Sequence, residues 1–158
     1  MIKTVVCHFY NEEFLLPWWL RHHRAIFDHG IMIDYASTDQ SVRIIKDLCP
    51  TWEIRPSRNK YFDAKSIDDE VMAIELELTG WRIALNVTEF LYGNTSHLTD
   101  TQIPTQYFLT NYVFVDMEDS DVALDHNSPL HEQRYWGYLD DSNNGARMEK
   151  GSAHRMNR

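Results

Sequence analysis

The sequence predicts an α/β fold with a mostly parallel sheet flanked by helices. Two observations carry that expectation. Short apolar runs rich in β-branched residues alternate with segments of helical period, in the order strand–helix–strand–helix–strand–helix–strand, through the first 93 residues. Polar residues with capping and stop chemistry separate those runs, which is the punctuation of crossover connections.

The elements follow in order. Residues 2–9, IKTVVCHF, read as a buried strand. NEEFLLPWWLRHHRAIF then reads as a helix, with Asn11 in the N-cap position and Glu12 and Glu13 in the first turn, where the helix dipole favours anions. Pro17 either kinks that helix or marks its true first turn. GIMIDY (30–35) is a second strand, and STDQSVRIIKDL supplies a cap and a short amphipathic helix with Val42, Ile45 and Leu48 inward. WEIR (52–55) is a third strand, followed by the polar loop PSRNKYFDAKS. Apolar residues at 67, 71, 74 and 78 give the next helix, with Gly80 as its stop signal. WRIALNV is the fourth strand and YFLTNYVFVDM (107–117) a further one; beyond Glu118 the chain is polar and turn-rich, with a flexible tail expected.

Composition bounds the function. The 158 residues suit one domain with a sizeable core, and 43% apolar against 25% charged residues is a globular balance. A net charge of −9 argues against a general nucleic-acid binder. An anionic ligand then needs a local basic pocket or a bound cation. Cys7 and Cys49 stand in apolar surroundings and read as buried free thiols. No apolar run reaches the roughly 20 residues of a membrane span, and MIKTVVCHFY does not read as a signal peptide. The expectation is a soluble cytoplasmic protein, with a second copy of the chain as a partner for its aromatic-rich surface.

In parallel sheets ligands bind at the carboxyl ends of the strands, so four exits matter: His8 to Glu12, Asp34 to Asp39, Arg55 to Lys60, and Asn86 to Glu89. Asp34 can accept hydrogen bonds from a ribose or base, or the polar residues after it, Ser37 to Asp39, can simply cap the next helix. Arg58, Lys60 and Lys65 form a local basic patch suited to a diphosphate, or an ordinary solvated loop. Arg21-His22-His23-Arg24 ends a helix. The two histidines point about 100° apart there, which suits dipole electrostatics and packing better than joint metal ligation.

Three segments, FYNEEFLLPWWLRHH, FDHGIMIDYASTDQSVRII and GWRIALNVTEFL, resemble in order and spacing the family-2-like glycosyltransferases of the GT-A fold, in a largely uncharacterised bacterial and viral subgroup. The resemblance covers residues 4–93. It implies a Rossmann-like GT-A domain over residues 1–125, which binds a nucleotide-sugar donor, and an acceptor-side segment with a polar tail over 126–158, truncated relative to the family. Asn11 and Glu12 then lie beside the donor pocket, Asp34 contacts base or ribose, and Arg58 and Lys60 serve as phosphate partners. Residues 86–89 occupy the position of an Asp-x-Asp-Glu motif that holds Mn²⁺ or Mg²⁺ in the family. This chain has Asn86-Val87-Thr88-Glu89 there, so a metal site rests on Asn86, Thr88 and Glu89 with only one carboxylate. Asp116, which ends a strand, is the first candidate for the base that deprotonates an acceptor hydroxyl. His131, Arg134 and Trp136 are acceptor-side candidates able to stack on or hydrogen-bond a glycan or other small acceptor. Three readings stay open: sugar transfer, a GT-A-like module that binds without transfer, and another nucleotide-using α/β enzyme.

Overall fold

A computed structural model describes residues 2–96, 98, 106–108, 111–115, 123–134, 136–140 and 147–150. The elements run β1 (Lys3–Phe9), α1 (Leu16–His23), β2 (His29–Asp34), α2 (Ser41–Leu48), β3 (Glu53–Pro56), α3 (Ala64–Glu77), β4 (Trp81–Ala84), β5 (Gln106–Phe108), β6 (Asn111–Val115), a 3₁₀ turn (Leu130–Gln133), β7 (Trp136–Asp140) and β8 (Arg147–Lys150). The fold is α/β. β3, β2, β1 and β4 form a parallel sheet in that order, and β8 and β5 extend it beyond β4 by antiparallel pairing. β6 and β7 form a separate antiparallel pair.

Strand alternation assigns the two faces. Val5, Cys7 and Phe9 of β1, Met32 of β2 and Trp81 and Ile83 of β4 point to the side covered by α1 and α2, where Leu16, Trp19, Leu20 and Ile45 complete the main core. Val6, Ile31 and Ile33 point the other way and pack on Ile74 of α3, with Val71 and Leu78 around them. The chain moves outward from β1 through α1 and α2 to β3, then returns over the opposite face through α3 to β4. The direction therefore reverses between β1 and β4, the place where open parallel sheets form a crevice. Both cysteines are buried and unpaired.

Three expectations are corrected. The first helix starts at Leu16 with Pro17 in its first turn, so Asn11 is not its N-cap. Asn11 has φ of 52°, and its side chain serves the neighbouring loop instead. The single strand expected over 107–117 is divided, because β5 pairs with β8 whereas β6 pairs with β7. The segment expected to trail off as a tail contains β8, which lies between β4 and β5. α3 is capped by Asp63, whose carboxylate accepts the Ser66 N–H at 2.9 Å; it ends at an extended Leu78, and Gly80 takes φ of 93° two residues further on, in the loop that leads to β4. Among the described residues no helix is long and apolar enough to cross a membrane.

Gly30 exists for packing. It sits opposite Val5 in the β1–β2 register, and a Cβ there would lie 2.1 Å from Cε3 of Trp52. Gly30→Ala is therefore expected to destabilise the protein by about 1–3 kcal/mol, the range for overpacking a core. Urea unfolding measures this, and a variant as stable as the parent would mean that Trp52 does not cover that strand.

Candidate functional site at the carboxyl edge of the sheet

Because β1 to β4 are parallel, the four predicted exits share one edge. The first two are laced together. The Asn11 N–H donates to Ser37 Oγ (3.1 Å), and Asn11 Oδ1 accepts the Thr38 N–H (2.8 Å). The Glu12 N–H donates to Ser41 Oγ (2.8 Å), the Glu13 N–H to Asp39 Oδ2 (3.0 Å), and Glu13 Oε2 accepts the Gln40 N–H (3.0 Å). Asp34 Oδ1 accepts the Ser37 N–H (2.9 Å) in an Asx turn. Ala36 takes φ of 56° in this loop, an uncommon conformation that the surrounding bonds hold. Asn11 and Asp34 are thus joined through Ser37. The carboxyl of Glu12, half-buried and close to Asp39, is held above the usual range by burial first and that charge second.

The β3 exit is organised by a residue the sequence reading did not select. Glu70 is buried on the inner face of α3. It accepts from Ser57 Oγ (2.7 Å), from the Arg58 N–H (2.8 Å) and from Asn59 Nδ2 (2.8 Å). Arg58 Nε lies 3.6 Å from the same carboxylate while its side chain is 63% exposed. Lys60 is exposed. A carboxylate so well supplied with donors is a fixed anchor for the loop. Its signal was present, since position 70 falls on the apolar stripe through 67, 71, 74 and 78.

His8 and Tyr35 also join this edge, with ring centroids 5.4 Å apart and Tyr10 6.0 Å from Tyr35. His8 Nε2 and the Tyr35 hydroxyl are both buried without a protein partner. Burial pushes the His8 imidazole below its ordinary pKa, against the pull of Glu70 and Asp34. Neutral His8 and Tyr35 offer hydrogen-bonding groups beside two carboxylates.

The fourth exit is a closed turn. The Glu89 N–H donates to the Asn86 carbonyl (2.9 Å), and the Asn86 N–H donates to Glu89 Oε2 (2.7 Å). The Trp19 indole N–H of α1 reaches both the Asn86 carbonyl (3.0 Å) and the Glu89 carbonyl (2.9 Å). Two residues further, the adjacent histidines grip both backbone polar groups of Leu91: its N–H donates to His23 Nε2 (3.1 Å), and His22 Nε2 meets its carbonyl at 2.7 Å. Val87 is buried, whereas Asn86 and Thr88 are exposed. The residues at 86–89 do not fit a strong divalent site. Two of the three donor side chains are neutral, and the one carboxylate already accepts from its own turn. Among the described residues no group of three or more His, Cys, Asp or Glu side chains could hold a metal ion.

Of the acceptor-side candidates, His131 reaches the chain just past this turn. His131 stacks edge-on against Tyr92, with centroids 4.5 Å apart, and lies 6.4 Å from His22. The Tyr92 phenol is pushed up to about 12 by burial and by Glu132. Arg134 donates to the Gln133 carbonyl (2.8 Å). Trp136 opens β7, opposite Val115. Asp116 lies outside the described residues. The stretch before them is seated on α1: Trp18 stacks on His126 at 3.7 Å, and its indole N–H donates to the Asp125 and Ser128 carbonyls. No protein-family model matches the chain, and no curated protein sequence matches it at a significant level.

His23 makes a pH prediction. Its Nε2 accepts from Leu91, so the ring proton sits on Nδ1 and is donated to the Trp19 carbonyl (3.0 Å). Burial, then the neighbouring His22, hold its pKa down to about 3. The unfolded chain binds the proton near pH 6.5 and the folded one does not, so the folded state loses stability as pH falls from about 6.5 towards 3. The loss from this residue amounts to at most about 5 kcal/mol. Chemical unfolding at a series of pH values should show this acid loss in the parent and a much smaller one in His23→Gln; equal slopes would contradict the neutral clamp.

Proposed function

We propose that the chain is a nucleotide-sugar-dependent glycosyltransferase of GT-A type whose donor lies across the carboxyl edge of the parallel sheet. The observation that carries this reading is that Asn11, Asp34, Arg58 and the 86–89 turn stand at that one edge, the first two on loops bonded to each other, the third on a loop anchored by Glu70 and the last in a turn closed on itself. The motif order of the sequence supports it from a separate direction.

In this reading Asp34, with His8 and Tyr35 nearby, faces the nucleoside side. Arg58 and Lys60 neutralise the diphosphate by charge-assisted hydrogen bonds. The acceptor enters from the side of Tyr92, His131 and Arg134. Orientation of the two substrates and electrostatic stabilisation of the departing diphosphate supply the rate. A divalent cation, where the family uses one, supplies charge neutralisation at the leaving group. The neutral Asn86 and Thr88 and the engaged Glu89 assign that task here to basic side chains.

The same engaged carboxylate favours a second reading, a GT-A-like module that binds a nucleotide or sugar without transfer. Calorimetric titration with UDP, GDP, CMP and dTDP, with and without Mn²⁺, tests the shared part. One nucleotide is expected to bind, with affinity that Mn²⁺ leaves within about twofold and that Arg58→Ala or Lys60→Ala weakens about tenfold. Release of free nucleotide from the matching sugar donor then distinguishes transfer from binding. Failure of every nucleotide to bind would contradict both readings.

A further inference from the structure

The loop between β3 and α3 carries the two most exposed large apolar side chains among the described residues, Tyr61 at 83% and Phe62 at 77% relative exposure. They are not on a slack segment. One stem is fixed where Glu70 holds Ser57, Arg58 and Asn59, and Asn59 Nδ2 also donates to the Ser66 carbonyl (3.2 Å). The other stem is fixed by Asp63, which caps α3 through the Ser66 N–H. Between these anchors Lys60, Tyr61 and Phe62 form an exposed tip. Holding two aromatic rings in water on an anchored loop has a hydration cost that a partner surface would relieve.

Charge identifies that surface. Across residues 58–65 three cations, Arg58, Lys60 and Lys65, stand against the single acid Asp63, in a chain whose net charge is −9. Lys65 is paired with Asp69 on the helix, and Arg58 Nε leans 3.6 Å from Glu70 while its side chain stays 63% exposed, so Lys60 and the exposed part of Arg58 are the cations beside the rings. Aromatic rings that stand clear of their neighbours suit insertion rather than enclosure, since small ligands take concave sites. Tyr and Phe settle at the headgroup–acyl boundary of a bilayer, and adjacent Lys and Arg reach lipid phosphates.

We propose that the Lys60-Tyr61-Phe62 tip, flanked by Arg58, docks the protein on an anionic lipid bilayer. The inference goes beyond the transferase reading and does not depend on it. Two rings and two cations make a reversible attachment, weaker than any spanning helix.

Co-sedimentation of the full chain with phosphatidylcholine vesicles, with and without about one-third phosphatidylglycerol, tests this in the absence of nucleotide. Binding is expected only with the anionic lipid, is expected to weaken as ionic strength rises, and should fall about tenfold in the Tyr61→Ser/Phe62→Ser double variant. Both positions are solvent-exposed, so that variant should keep the parent's circular dichroism and unfolding midpoint. Lys60→Glu should weaken binding to the anionic vesicles alone. No association of the parent with anionic vesicles would overturn the proposal. So would association that the double variant leaves unchanged, or equal association with neutral vesicles at every salt concentration.

Discussion

The hydrogen bonds from α1 to the chain leaving β4 cross the seam where the sheet reverses direction, and the rest of the carboxyl edge is built outward from them. Trp19 holds both carbonyls of the Asn86–Glu89 turn, and His22 and His23 hold the two polar groups of Leu91. The bond from the Leu91 N–H is buried and the other three are partly buried, and a buried polar group left unpaired costs about 1–3 kcal/mol. The indole and the two imidazoles therefore do more than fill space beside the core. They set the distance between the exits of β1 and β4, which is the width of any crevice there.

Around that seam, polar residues that would suit a ligand are largely engaged in holding one another. Asn11, Asp34, Glu13 and Asp39 lace two loops, Glu70 anchors a third, and Glu89 closes its own turn. The result is a preorganised edge with few unspent carboxylates. Such an edge suits a phosphate-bearing ligand met by backbone and basic groups better than one met through a cation, because a dication needs several free anionic oxygens. Neutral residues at 86 and 88 and the bond from Asn86 to Glu89 are two views of one constraint: the turn is stabilised internally.

How much of this was legible in the sequence depended on the range of the interaction. The β-branched runs of β1, β2 and β4 and the stripe of α3 announced themselves, because periodicity is local and burial follows it. The start of α1 did not. Asn11, Glu12 and Glu13 have the composition of a cap and first turn, yet their partners are 26 to 29 residues away on the next loop. The His22-His23 pair reads locally as helix-end charge, and only contact with Leu91 shows the neutral clamp. β8, RMEK, has no apolar alternation and joins the sheet only through β4 and β5. Glu89 looked like a ligand because its sequence cannot reveal that it folds back on Asn86.

The most direct test of this account is a crystal structure of the chain with the nucleoside diphosphate it prefers and Mn²⁺, using anomalous scattering to locate the metal. The account predicts phosphate density near Arg58 and Lys60, the Asn86–Glu89 turn still closed on the Trp19 indole, and no manganese peak at Asn86, Thr88 and Glu89. A manganese ion coordinated by Glu89 and the diphosphate, with the bond from the Asn86 N–H broken, would contradict it.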